Sequence, residues 1–92
     1  MKYSVYLSKK AEEQLDFFLK VGDVSRLKKI HKLLAELEDH PTTGTGKPEV
    51  LKGDLFGYYS RRIDGKNRMI YSINNQTVVV DVLSLKGHYG EK

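Results

Sequence analysis

The chain has no cysteine. Disulfide frameworks, thiolate zinc sites and cysteine nucleophiles are excluded together, which suits a reducing cytoplasm. No apolar run approaches the ~18–20 residues of a membrane span, so no membrane partner is expected. The N-terminus MKYSVYLSKK alternates in polarity and lacks the apolar centre of a secretory signal. Repeats, linkers and low-complexity tracts are absent too. No two histidines stand at i,i+4 spacing and no carboxylate run resembles a metal loop, so no metal is expected. Neither a phosphate-cradling loop nor a dinucleotide fingerprint is present, and Gly44 and Gly46 alone do not make one. No cofactor is therefore expected.

What is present makes one small domain, residues 1–92. Of these residues 39% are hydrophobic, enough for a modest core. Sixteen Lys and Arg stand against 12 Asp and Glu, a net charge of +4. Positive excess points to an anionic partner, nucleic acid first, although +4 is also ordinary solubility charge. The excess is uneven. Residues 1–46 hold 8 basic and 7 acidic side chains, residues 47–92 hold 8 and 5.

Lys2 to Leu7 alternate polar and apolar, which predicts a half-buried strand. Ser8 can cap a helix whose apolar positions are Ala11, Leu15, Phe18 and Leu19, and Gly22 can close it. Asp23 can cap a second helix with the stripe Val24, Leu27, Ile30, Leu34 and Leu37, widened by Leu33. Pro41 ends that helix. The short link predicts an antiparallel helical hairpin. PTTGTGKP (41–48) is turn chemistry. Tyr58 to Ile63 and Arg68 to Ile73 read as a hairpin around Asp64-Gly65, and Asn74-Asn75 turns the chain again. Thr77 to Leu85 is rich in valine and reads as a central strand buried on both faces. The fold class is α+β, with the first strand and a two-helix hairpin packed on one face of an antiparallel sheet. Whether the first strand joins the sheet edge or lies beside the last strand stays open.

The uncovered sheet face is where chemistry can sit. Lys47, Lys52, Arg61, Arg62, Lys66 and Arg68 gather there, interleaved with Tyr58, Tyr59 and Tyr71. Cations neutralise phosphates and aromatic faces stack on unpaired bases, although tyrosine in strands is more often a packing residue. Such a shallow patch suits single-stranded RNA. Arg61 and Arg62 are adjacent and point to opposite faces. Arg62 shares a face with Arg68 only in one hairpin register; a two-residue turn pairs Arg61 with Arg68 instead. For acid–base work the candidates are Glu49 and His88, since His31 and His40 read as surface residues.

Beyond the physics lies a resemblance. Gly46-Lys47-Pro48-Glu49-x-Leu51-Lys52, Ser60-Arg61-Arg62-Ile63, Asn67-Arg68-x-Ile70-Tyr71 and a late His88-Tyr89 resemble the YoeB (Txe) toxins of the RelE/ParE superfamily. The resemblance implies a RelE-like fold and a type II toxin–antitoxin toxin. Its activity would be that of a ribosome-dependent mRNA endonuclease working without metal, with the RNA 2′-hydroxyl as nucleophile. It implies Glu49 as general base, His88 as general acid and Arg68 as the group stabilising the phosphorane. Lys52, Arg62 and Tyr89 would support the phosphate. Implied partners are an acidic YefM-like antitoxin encoded in an adjacent gene, the 70S ribosome with its mRNA, and a second copy in a homodimer. Gly90-Glu91-Lys92 follow the His-Tyr pair. Two other readings remain: a ParE-like inhibitor of DNA gyrase, whose branch lacks the Glu/Arg/His set, and a non-catalytic RNA-binding module.

Overall fold

The computed structural model describes residues 2–87. The first strand, β1 (Ser4–Leu7), turns Tyr3, Val5 and Leu7 to the core. Ser8 does two jobs at its end. Its Oγ accepts from the Ala11 N–H at 3.0 Å, capping helix α1 (Lys9–Lys20), and donates to the Leu83 carbonyl at 2.7 Å. Gly22, at φ 69°, takes the left-handed position just after the helix. Asp23 then accepts from the Arg26 N–H at 3.1 Å and opens α2 (Val24–Asp39). Both predicted caps are therefore present.

Four further strands follow: β2 (Glu49–Val50), β3 (Tyr59–Arg62), β4 (Arg68–Asn74) and β5 (Val79–Ser84), with a 3-10 turn at Gly53–Leu55. The sheet order is β1-β5-β4-β3-β2. From β2 to β5 neighbours pair antiparallel, as expected. β1 pairs parallel with β5, so the sheet is mixed and the first strand is both at an edge and beside the last strand. The physical reason is the connection: β1 leads into the helices, a crossover that lets a strand return parallel.

The core lies between the helices and one sheet face. Ala11, Phe18, Ile30, Leu33 and Leu37 meet Met69, Tyr71, Val80 and Val82. Each such large side chain contributes ~1.5–3 kcal/mol by leaving water. Two predicted stripe residues stay outside: Leu19 is 54% and Val24 60% exposed. Both flank the turn between the helices, where the stripe has left the sheet.

β5 corrects a second expectation. Val80 and Val82 are buried in the core, but Asp81 between them is exposed, so the strand is buried on one face and not both. Although β5 lies inside the sheet, its outer face has no helix over it.

The β3–β4 connection is also longer than Asp64-Gly65 alone. Five residues, 63–67, separate the strands. Asp64 organises them, its Oδ1 accepting from the backbone N–H of Lys66 at 2.7 Å and of Asn67 at 2.8 Å. Its other oxygen accepts from Arg26 Nε at 2.5 Å, tying the loop to α2. Burial pushes this carboxyl up, but the Lys66 and Asn67 donors and the Arg26 guanidinium outweigh that and bring it down to about 2 from 3.8. A depressed carboxylate stabilises the fold above its unfolded pKa and loses that contribution as pH falls through the folded one. Discounted for the 30% exposure of the side chain, the contribution is about 1–2 kcal/mol. The stability gap between wild type and Asp64→Asn, read by urea unfolding, is expected to close between about pH 4 and 2. A gap constant over that range counts against this account.

Candidate RNA-cutting face

The five-residue loop decides the register that the sequence left open. Arg62 stands opposite Arg68, and Arg61 opposite Met69. Because strand side chains alternate, Arg62 and Arg68 share one face and Arg61 takes the other. Glu49 on β2 pairs with Ser60 on β3, which pairs with Ile70 on β4. Ser60 and Arg62 are two residues apart and therefore face the same way. So Glu49, Ser60, Arg62 and Arg68 lie together on the face away from the helices. Directly opposed Cβ atoms sit ~4.5–5.5 Å apart and diagonal ones ~7–8 Å, within the reach of long side chains around one phosphate.

The turn-rich segment before β2 aims Glu49. Gly46 has φ 86°, and a Cβ there would meet the Arg62 carbonyl at 2.9 Å, so the chain can pass this close to β3 only as glycine. The Gly46 carbonyl accepts from the Arg62 N–H at 2.7 Å, three residues ahead of Glu49. Lys52 is exposed just beyond β2, at the entry to the 3-10 turn. At the other end, the Arg68 N–H donates to the Gly87 carbonyl at 2.9 Å and the Gly87 N–H to Asn67 Oδ1 at 2.9 Å. His88 and Tyr89 lie outside the described residues.

Three of the residues expected on this face stand on the other. Tyr59 and Tyr71 stack at 5.7 Å between ring centres, with Tyr71 buried in the core. Burial raises the Tyr71 hydroxyl above its ordinary pKa, against the lowering effect of Arg61. Arg61 is fully buried and belongs to no phosphate patch. Its Nε donates to Tyr71 Oη at 3.1 Å, its Nη1 to Glu36 at 2.9 Å, and its Nη2 to the carbonyls of His40 and Thr43. Glu36 also accepts from the Thr45 hydroxyl and N–H. Burial raises its carboxyl, but Thr45 and Arg61 together draw it below its ordinary range. Alternation along β3 is the reason for all three misplacements: once Arg62 faces out, Tyr59, Arg61 and Tyr71 face in. Tyr58 alone of the three tyrosines fits the outer face, two residues before Ser60. His31 and His40 are exposed, as expected.

Ser60 is a residue of this face that the sequence does not single out. It is fully buried at the centre of this face, and its Oγ has no hydrogen-bond partner. Its position in the Ser-Arg-Arg run, opposite the candidate base, is the one signal that points to it. Among the described residues no three His, Cys, Asp or Glu side chains gather into a set that could hold a metal ion.

A two-helix layer behind a five-stranded sheet is the fold of small RelE- and YoeB-type toxins. The YoeB/ParE toxin from Agrobacterium tumefaciens superposes with a TM-score of 0.87 at 30% identity, covering 94% of this chain and 99% of that one. The YoeB–YefM toxin–antitoxin heterotetramer from Staphylococcus aureus matches with a TM-score of 0.81 at 34% identity, over 97% and 100%. Toxin YoeB of Mycobacterium bovis is 37% identical over 86 residues, 94% of this chain and 98% of that relative. Residues 7–89 match the family model of the YoeB-like toxin of bacterial type II toxin–antitoxin systems, and the chain belongs to that family.

Proposed function

We propose that this toxin cuts mRNA on the ribosome by metal-independent acid–base catalysis, and so stops translation. The supporting observation is the register that gathers Glu49, Arg62 and Arg68 on the helix-free face. In the reaction Glu49 takes the proton of the RNA 2′-hydroxyl. The 2′-oxygen bonds to phosphorus as the bond from phosphorus to the 5′-oxygen breaks, and His88 gives that oxygen a proton. The products are a 2′,3′-cyclic phosphate and a 5′-hydroxyl. Arg68 opposes the extra negative charge on the pentavalent phosphorus, while Arg62, Lys52 and Tyr89 hold the strand. Each well-placed proton-transfer group contributes ~10²–10⁴-fold.

An acidic YefM-like antitoxin would silence the protein in the cytoplasm. Exposed apolar side chains give such a partner purchase, Phe56 at 81% and the Phe17, Leu19, Val21 and Val24 group around the helical turn. The test is incubation of the purified toxin with ribosomes carrying a defined mRNA, followed by mapping of the cut ends and their phosphates. Cleavage that survives both Glu49→Ala and His88→Ala overturns the acid–base assignment. Cut ends bearing a 3′-hydroxyl would overturn 2′-hydroxyl attack.

Ser60 gives a narrower prediction. A buried hydroxyl with no partner adds nothing to stability, so Ser60→Ala is expected to leave the urea midpoint unchanged or slightly raised. If the hydroxyl serves the reacting strand, kcat falls ~10–100-fold in the same variant, about the worth of one hydrogen bond to a charged group. Unchanged kcat assigns Ser60 to packing.

A further inference from the structure

We infer that the cleft beside Asp81 is a nucleobase subsite of the cutting face, which reads an unpaired base next to the scissile bond and favours guanine. The inference rests on the RNA-cutting reading above. Asp81 is the observation that starts it. The run Val78-Val79-Val80-Asp81-Val82-Leu83 places a carboxylate in the middle of an interior strand. Aspartate is disfavoured in strands, and a residue that breaks a local rule without compensation marks a functional position more often than chance. Here compensation is missing. Asp81 is exposed, and among the described residues its carboxylate makes no ion pair.

Its surroundings suit a base. Asp81 pairs with Ser72 on one side and Tyr6 on the other, on the face away from the helices. With Tyr58, Asp81 and Ser72 line a cleft of about 260 Å³, walled by Leu83. Leu83 also walls a neighbouring cleft of about 230 Å³ that contains Ile70, Ser84, Lys10, Lys86 and Gly87. Ile70 belongs to the same cross-sheet row as Ser60 and Glu49, and Gly87 accepts from the Arg68 N–H. The two clefts thus meet at Leu83, and Ile70 links the nearer one to the row of Ser60 and Glu49 beside the arginines. Successive rows on one face lie ~6.6–6.8 Å apart along the strands, a step suited to adjacent nucleotides of an extended strand. Lys10 in the nearer cleft offsets the charge of Asp81 against the backbone phosphates, while the Lys86 ammonium rests over the Phe17 ring, 4.1 Å from its centre.

The base preference follows from donors and acceptors. A carboxylate presents two acceptors side by side and no donor. Guanine alone offers two donor groups side by side on its Watson–Crick edge, N1–H and N2–H₂. Adenine and cytosine set one amino group beside a ring-nitrogen acceptor, which the second carboxylate oxygen repels. Uracil sets one N–H between two carbonyls. The Tyr58 ring supplies a stacking surface and the Ser72 hydroxyl a further donor or acceptor, the pattern by which proteins read splayed single-stranded bases.

The test measures cleavage of ribosome-bound mRNAs that differ in the one base on either side of the cut. Wild type is expected to cut the guanine substrate ~10-fold or more faster in kcat/KM than the uracil substrate at one of those positions, within the range for a bidentate base contact. Asparagine presents one acceptor and one donor, so Asp81→Asn should move the preference to adenine or cytosine. Asp81→Ala should level the four bases. A guanine preference that persists in both variants, or its absence in wild type, overturns the subsite and leaves the cutting reading intact. Absence of any wild-type cleavage overturns both.

Discussion

Glu49→Gln is expected to reduce mRNA cleavage on ribosomes by ~10²–10⁴-fold, with the loss in kcat and little change in KM. The substitution keeps the shape of the side chain and removes its capacity to take a proton. That loss corresponds to ~3–5 kcal/mol of transition-state stabilisation. Stability should not follow it. Glu49 is exposed on a two-residue edge strand, where substitutions usually change stability by less than ~0.5 kcal/mol. The contrast between a collapsed kcat and an unchanged urea midpoint identifies chemistry and excludes misfolding. Arg68→Ala belongs to the same experiment and should cost ~10²–10³-fold, as loss of a donor to developing negative charge does. A Glu49→Gln protein that keeps more than a tenth of wild-type kcat would show that another group takes the 2′-hydroxyl proton.

Part of that constellation is legible in the amino-acid sequence alone. The caps Ser8 and Asp23, the two helices and the antiparallel run of strands follow from local chemistry, because each depends on neighbours three or four residues away. Glu49 and Arg68 stand out through their motifs. What stays hidden depends on partners far along the chain. The register of Arg62 against Arg68 is set by a loop that Asp64 folds using its own backbone neighbours and Arg26, 38 positions away. Period-two alternation then decides together where Tyr59, Arg61 and Tyr71 go, so one wrong turn length misplaces all three. The exposed face of β5 is hidden for a related reason. A valine-rich run reads the same whether helices cover one face or two, and only Asp81 speaks against two. Ser60 cannot be singled out because an unpartnered hydroxyl is a property of packing.

Replacing Arg61 should do most damage to the fold. The side chain is fully buried, and its guanidinium reaches Glu36, Tyr71 and the carbonyls of His40, Thr43 and Thr45. A methionine of similar length would fill the space and satisfy none of them. Glu36 would keep Thr45 but lose its countercharge, and several inward carbonyls would lose their donor. Breaking a buried pair by removing one partner costs ~3–5 kcal/mol, because the remaining groups stay desolvated. A domain of this size has ~5–15 kcal/mol in all. Arg61→Met is therefore expected to lower the urea midpoint substantially at unchanged m-value, and the melting temperature by more than ~10 °C. Arg61→Lys keeps the charge but cannot fork to carbonyls on both sides, so it should fall between the two. A loss below ~1 kcal/mol in Arg61→Met would mean that the 41–46 segment is held by other contacts. The consequence reaches the helix-free face. The tethered carbonyls belong to the segment that delivers Gly46 against Arg62 and then Glu49 against Ser60. One arginine of the Arg61-Arg62 pair thus fixes, from inside the core, where Glu49 stands, while its neighbour faces outward beside Arg68. In Arg61→Lys, under conditions where the protein remains folded, kcat should fall with the urea midpoint, while in Glu49→Gln kcat falls alone.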